Sequence, residues 1–239
     1  MLLAINTSTP QFSVALLRKS GSLLAEEVVS SASRNFRGLV PGLHNLLRVS
    51  GADPRDVSAV AVAVGPGSFT GLRVGIALAK GFCQGLRIPV VGVSSLEALA
   101  CQCPDSSAVI RPLIDSRRGE VFTALFRWSP GEKLLRISQD TCVMMEALPA
   151  LAEEPTVLVG NDYDSQAPRV RECLGPKVRL ASAHLWTLRA SWVGWVGLRS
   201  AGERGFDSIS DLSPVYLRAP DIRTNPSPPS DFHPATPAA

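Results

Sequence analysis

"AVAVAVGPGSFTGLRVGIALAKGFCQG", residues 59–85, joins a run without one polar side chain to a glycine-bearing segment through Gly65-Pro66-Gly67. The opening run predicts a buried strand, and the segment after the turn predicts a helix. Glycine inside a helix costs about 1 kcal/mol relative to alanine, yet Gly71 and Gly75 stand near the start of this one. Two explanations compete. Glycines at a helix N-terminus can cradle a phosphate with backbone N–H groups, or they can flatten a face so that another backbone comes close. The spacing disfavours the first. No G-K-[ST] closes the turn, and G-x-G-x-x-x-G is not the dinucleotide fingerprint. Gly71, Gly75 and Ala79 recur every four residues and share one face. Small residues at that interval permit close approach in any tightly packed contact.

The same helix is apolar almost all round. Leu72, Val74, Ile76, Leu78 and Phe82 leave a narrow polar stripe of Arg73, Lys80 and Gln84, so cover is needed on nearly every side. Either a neighbouring helix of the same lobe or an external partner meets that need. Upstream, "LLAIN", "FSVALL" and "SLLAEEVVS" predict a hairpin and a third strand. "FRGLVPGLHNLLRVSG" predicts a helix that Pro41 kinks or starts, and it repeats the small-residue device with Gly38 and Gly42. "IPVVGV" adds a strand beyond the glycine helix. The order βββαβαβ predicts a mixed sheet with helices on its faces.

The second half opens as the first does. "RPLIDSRRGEVFTALF" (111–126) aligns with "LLAINTSTPQFSVALL" (2–17) at an offset of 109, placing Asp115 on Asn6 and Ala124 on Ala15. Each copy reads as a strand, a polar turn led by an Asx residue, and a returning strand, which suggests duplication. Next come the strand "LLRIS", a helix over "TCVMMEALPALAEE", the strand "TVLVG", a helix near "RVRECLG", and a long helix over "HLWTLRASWVGWVGLRSAG". In the last, Leu185, Leu188, Trp192 and Trp195 form a core stripe. From Ala219 the chain is rich in proline and poor in apolar residues, the composition of a disordered tail. Two lobes each opened by such a hairpin are the plan of the actin-like/Hsp70/sugar-kinase (ribonuclease H-like) α/β fold with duplicated mixed sheets. The expected units are 1–104, 105–218 and the tail 219–239.

Composition narrows the function classes. The chain has 239 residues, 45% hydrophobic and 19% charged, with a formal net charge of +3. The arginines form no dense run, so the chain is a poor sole binder of nucleic acid. "MLLAINTST" lacks the pattern of a signal peptide, and "ASWVGWVGL" is too short to span a bilayer. Five cysteines at irregular spacing make no disulfide framework, and the Cys101/Cys103 pair has no second pair to complete a zinc site. We expect reduced cysteines in a cytoplasmic protein.

Together, "GPGSFTGLRVGIALAKG", "LLAINTST", "LVPGLHNLL", "IPVVGVSSLEALA", "IDSRRGEVFTALF" and "PVYLR" (214–218) resemble the TsaB (YeaZ) family of bacterial proteins. That family is needed to make threonylcarbamoyladenosine in tRNA. The resemblance implies a noncatalytic activator and dimerisation scaffold for TsaD, the protein that transfers the threonylcarbamoyl group from threonylcarbamoyl-AMP to the adenosine 3′ of the anticodon. It implies TsaD as a heterodimer partner, the ATPase TsaE, a second copy as a homodimer partner, and tRNA reached only through the complex. No membrane, no metal and no cofactor of this chain's own are implied, with ATP or ADP belonging to the complex with TsaD and TsaE. In the family the first-lobe helices pair with the partner. Carried onto this chain, the interface is Gly71, Leu72, Gly75, Ile76 and Ala79, supported by Gly38, Leu39, Gly42 and Leu46.

Catalysis finds little support. In the actin-like fold the first hairpin uses an aspartate for Mg²⁺ and a Ser/Thr for phosphate. Here the position is Asn6, an amide without charge, where many family members carry Asp. Thr7, Ser8 and Thr9 remain as contacts of a vestigial phosphate site, with Asp115, flanked by Arg117 and Arg118, as the counterpart in the second hairpin. A capped polar turn is the competing reading of Thr7–Thr9. "LVGNDYD" offers one glycine for an adenosine pocket. Relatives once labelled glycoproteases invite a search for peptidase residues, but there is no H-E-x-x-H and no G-x-S-x-G elbow. Where the family often carries His, this chain has Asn35. The rival to the scaffold reading is a small-molecule kinase or ATPase of the same fold.

Overall fold

Two strands open the chain, and neither leaves a residue exposed: β1 (Leu2–Asn6) and β2 (Phe12–Leu17) pair antiparallel. The computed structural model describes residues 1–30, 36–104, 108–131, 133–151, 156–175 and 178–218. β3 (Leu23–Val29) lies along β2 as a half-exposed edge. α1 (Leu39–Ser50) starts two residues before Pro41, so the proline falls in the first turn, where its missing N–H costs no helical bond. β4 (Ala59–Gly65) sits parallel between β1 and β5 (Val90–Ser94), and α2 (Phe69–Leu86) connects β4 to β5. α3 (Ser95–Cys101) follows. The sheet order is β3-β2-β1-β4-β5.

The alternation in "AVAVAV" acquires a meaning here. Val60 and Val62 join the core under α1 and α2, while Ala59, Ala61 and Ala63 face the opposite core. Each buried valine contributes about 1.5–3 kcal/mol. The alanines leave a shallow face that a helix can approach closely.

The second lobe repeats the plan. β6 (Val109–Arg117) and β7 (Glu120–Thr123) form its hairpin, β8 (Phe126–Trp128) and β9 (Leu134–Arg136) an added one, and β10 (Thr141–Met144) its third strand. β11 (Thr156–Gly160), α4 (Tyr163–Leu174) and β12 (Arg179–Leu180) complete the parallel part. The order β10-β7-β6-β11-β12 matches the first sheet strand for strand. The fold is therefore α/β, two-lobed, with a duplicated mixed sheet.

Three expectations change. Where a helix was expected over 141–154, the described residues differ: Thr141–Met144 is strand β10, paired with Thr123 to Glu120, and a 3-10 helix covers Met145–Leu151. The open edge of β7 captured a β-branched run that helical periodicity alone did not distinguish. The last helix, α5 (Ala190–Arg204), begins six residues later than expected, so Leu185 and Leu188 precede it. The Leu188 carbonyl accepts from Asn6 Nδ2 at 2.9 Å and Ser13 Oγ at 3.3 Å, which holds the chain extended there.

Finally, α5 belongs to the first lobe, not to a unit 105–218. It lies across β1, β2, β4 and β5. A Cβ at Gly194 would stand 2.5 Å from Leu17 Cδ1, and one at Gly197 would stand 2.6 Å from Ala61 Cβ. The glycines of α5 thus meet the alanine face of the sheet. The chain then stays on this lobe: Asp207 N donates to Val90 O at 2.9 Å, and Val215 N to Val64 O at 2.7 Å. Asn35 and the tail 219–239 lie outside the described residues.

Candidate functional site

The first hairpin turn lies at the junction of the lobes. Asn6, Thr7, Ser8 and Thr9 are all fully buried. Asn6 Oδ1 accepts from Ser8 N at 3.0 Å and Ser8 Oγ at 2.8 Å, closing an Asx turn. Thr7 Oγ1 donates to Gly71 O at 2.7 Å, and Thr9 Oγ1 to Gln11 O at 3.0 Å. Each hydroxyl hydrogen that a phosphate would need is thus committed to this chain's own oxygens. Asn6 Nδ2 meets the Leu188 carbonyl, so an aspartate there would set two acceptors against each other. These residues do not fit a Mg²⁺–nucleotide site. In this structure the Ser/Thr turn is a capped structural element, with the hydroxyls of Thr7, Ser8 and Thr9 bonded within the chain.

The glycines of α2 explain the burial of this turn. A Cβ at Gly71 would lie 1.9 Å from Thr7 O, and one at Gly75 would lie 2.1 Å from Thr7 Oγ1. A Cβ at Gly67 would lie 2.1 Å from Ser8 O. Ser68 N donates to Ser8 O at 2.7 Å, and Ser68 Oγ caps the helix at Gly71 N, 3.2 Å away. The hairpin turn therefore occupies the space before the helix start. The backbone that the glycines admit is the chain's own Thr7–Ser8, not a partner's. At α1, the N-cap Gly38 faces the Phe12 ring and Gly42, inside the helix, the Glu27 carboxylate.

The assigned interface residues are turned inward. Leu39, Gly42, Leu46, Gly71, Leu72, Gly75, Ile76 and Ala79 are buried, and only Gly38 is exposed. The outer side of these helices carries other residues. Val40 and Val49 on α1 are each 60% exposed. On α2, Gly81 and Gly85 face open space. At the α2 start, Arg73 stacks on the Phe69 ring at 3.9 Å and donates from Nε to Tyr216 Oη at 2.9 Å. Phe69 and Tyr216 stack at 5.0 Å between centroids. Sequence reasoning missed this cluster because its halves lie far apart in the chain, in "GSFTGLR" and "PVYLR".

Asp115 is placed differently from Asn6. It lies within β6, opposite Val121, and is exposed. The turn comes later, at Arg118 (φ 55) and Gly119 (φ 84), the two-residue loop suited to a twisted hairpin. Asn161 joins the two hairpins: its Oδ1 accepts from Asp115 N at 3.0 Å, and its carbonyl accepts from Gln11 Nε2 at 3.1 Å. Gln166 fixes Asn161 by accepting from its N at 2.9 Å and donating to its Oδ1 at 3.2 Å. The glycine of "LVGNDYD" serves packing, because a Cβ at Gly160 would stand 2.2 Å from Gln166 Oε1 and 2.6 Å from the Trp186 ring.

Among the described residues no group of three His, Cys, Asp or Glu is placed to hold a metal, and no helix is long and apolar enough to cross a membrane. His44 and His184 are exposed, one on α1 and one just before α5. All five cysteines are free. Burial pushes the Cys83 thiol up to about 11, and the Cys101 thiol higher still, so neither offers a thiolate.

Residues 27–158 match the family model described as "TsaD: tRNA N6-adenosine threonylcarbamoyltransferase". Along most of its length the chain is similar to the tRNA threonylcarbamoyladenosine biosynthesis protein TsaB of Bacillus subtilis (strain 168). The two are 32% identical over 219 residues, covering 91% of this chain and 93% of that protein. The chain belongs to the TsaB (YeaZ) family. YeaZ from Pseudomonas aeruginosa has the TsaB-family architecture found here, with a TM-score of 0.73 at 27% identity, covering 90% of this chain and 99% of that one. The activator of the 2-hydroxyisocaproyl-CoA dehydratase from Clostridium difficile, with bound ADPNP, shares the fold alone. Its TM-score is 0.50 at 10% identity, covering 84% of this chain and 96% of that one.

Proposed function

We propose that this chain is a noncatalytic partner of TsaD, needed for threonylcarbamoyl transfer to the adenosine 3′ of the anticodon but supplying no reacting group. The similarity to TsaB over nine-tenths of the chain carries this reading. The capped first turn supports it, since Asn6 brings no charge and the three neighbouring hydroxyls are already used. Nucleotide then belongs to the complex with TsaD and TsaE, and tRNA is reached through that complex.

Docking uses the outer sides of α1 and α2 together with the Phe69–Arg73–Tyr216 cluster. The glycine columns support this surface from within by letting the helices lie flat on the sheet and turn. The TsaD family model matches residues 27–158, a span that contains both helices. Kinship over that span favours pairing of like helices, so one face serves both TsaD and a second copy of this chain.

Nucleoside analysis of bulk tRNA from cells depleted of the protein tests the role. Threonylcarbamoyladenosine should fall and return with the wild-type chain, but not with Arg73→Glu. Unchanged modification on depletion rejects the proposal, and Mg²⁺-dependent ATP turnover by the purified chain then becomes the assay to run.

A further inference from the structure

Three tryptophans that the fold leaves partly open gather at one place. Trp192 and Trp195 lie on α5, and Trp128 ends β8. Trp195 stands edge-on to both, 5.8 Å from Trp192 and 6.2 Å from Trp128 between ring centroids. Of the expected core stripe, Leu188 is in the core and Leu185, Trp192 and Trp195 pack against it, the two tryptophans keeping one side open. A cavity of about 760 Å³ opens beside the three tryptophans, bounded also by Leu17, Leu23 and Arg189. That volume lies in the range of about 300–1,000 Å³ usual for ligand sites. Trp128 Nε1 donates to Cys103 O at 2.6 Å. Among the described residues no acceptor meets the indole N–H of Trp192 or Trp195.

Indole faces receive pyrrolidine rings, and indole N–H groups donate to the carbonyls of a proline-rich backbone that carries few donors itself. This chain ends in such a segment, with Pro226-Ser227-Pro228-Pro229 at its centre. We propose that the cavity holds the chain's own proline-rich tail, with Pro226 to Pro229 against Trp128, Trp192 and Trp195.

Reach and charge agree. Arg218 is held by Glu120 Oε2 at 2.8 Å and by Ser116 O at 3.3 Å, near the β6–β7 turn. Trp128 lies toward the other end of β6, two residues past Phe126, which pairs with Ile110. From Ser116 to Ile110 is about 20 Å at about 3.3 Å per residue. Pro229 stands eleven residues beyond Arg218 (229 − 218 = 11), a reach of about 34 Å at about 3.1 Å per residue. One molecule can therefore close the contact on itself. Arg189, half exposed on the cavity wall, uses Nε and Nη2 on Glu26 and keeps further donors for Asp231, two positions past Pro229.

The test compares the full-length chain with a full-length variant carrying Pro226→Ala, Pro228→Ala and Pro229→Ala, changes outside the packed lobes. In the variant, tryptophan emission should move to longer wavelength and acrylamide quenching should rise. A synthetic peptide of residues 224–234 should reverse both, and the alanine version of that peptide should not. Trp195→Phe, with circular dichroism unchanged, should abolish the peptide response. Identical emission and quenching in wild type and variant overturn the proposal. So does a difference that grows with protein concentration, which would mean that the tail reaches a second copy instead.

Discussion

The two hairpins that open the lobes hold equivalent places in equivalent sheets, yet their turns live in different surroundings. In the first lobe, Thr7–Gln11 forms a loop closed by an Asx turn, fully buried through Thr9 and pressed by a helix with no side chains at the contact. In the second, β6 runs on through Asp115 to a two-residue turn, and Asp115 stays exposed. The helix after β4 has 18 residues and two glycines aimed at its hairpin, whereas the helix after β11 has 12. Duplicating the strand order therefore did not duplicate the site. The helix that leaves the parallel strand determines whether the neighbouring turn is open or filled.

Substitutions can break this contrast. The largest effect belongs to Gly75→Leu, whose Cβ has no place beside Thr7 Oγ1. We expect a loss of about 3 kcal/mol or more and no cooperative unfolding transition in circular dichroism. A variant that kept its wild-type melting curve would show that α2 is free of the turn. Next is Asn6→Asp, which places a buried carboxylate against the Leu188 carbonyl. It should cost about 2–3 kcal/mol at neutral pH. Burial raises such a carboxyl above its unfolded value, so the variant should regain stability on acidification as the group takes up a proton. Denaturant melts at two pH values decide this. The matching change on the other side, Asp115→Asn, alters an exposed group and should move stability by less than about 0.5 kcal/mol.

The contrast also extends to the cover of the first sheet. Asp207 clips the end of α5 to β5 by accepting from Gly92 N at 2.7 Å and from Arg204 Nη2 at 3.1 Å. The Arg204 hydrogen bond, aided by the Gly92 N–H and opposed by burial, holds its carboxyl below the ordinary value of 3.8. This stability is present above that value and is lost as pH falls through the lowered one. Asp207→Asn should cost about 1 kcal/mol at neutral pH and flatten the acid limb of the stability curve. The smallest effect is a gain. Gly81 faces open space on the outer side of α2, so Gly81→Ala should stabilise the isolated chain by about 0.5–1 kcal/mol. Gly81→Leu should leave the fold intact while weakening self-association in sedimentation, the reverse of Gly75→Leu on the same helix.

Much of the architecture was legible because its signals are local. The buried alternation of 59–64, the Pro41 start of α1 and the hairpin at 111–126 each arise from residues close in sequence. The site was less legible. Spacing correctly showed that Gly71 and Gly75 share a face and admit a close backbone, but not whose backbone it is. Asn6 read as a lost metal ligand, whereas its amide bridges to Leu188, 182 positions away. The run at 141–144 carries the same apolar pattern for a strand or a helix, and only the vacant edge of β7 decided between them.

Taken alone, the chain of residues determined two mixed sheets, a duplicated hairpin, a glycine helix needing cover, and an uncharged Asn at the head of the first turn. Those features depend on side-chain period, backbone permissiveness and formal charge, which are properties of neighbouring residues. Only the tertiary structure decided that α5 returns to the first lobe, that the alanines of 59–63 face its glycines, and that Thr7 fills the notch in α2. Such choices rest on steric fit between segments distant in sequence, where a single Cβ about 2 Å from a neighbouring atom excludes an arrangement that composition would allow.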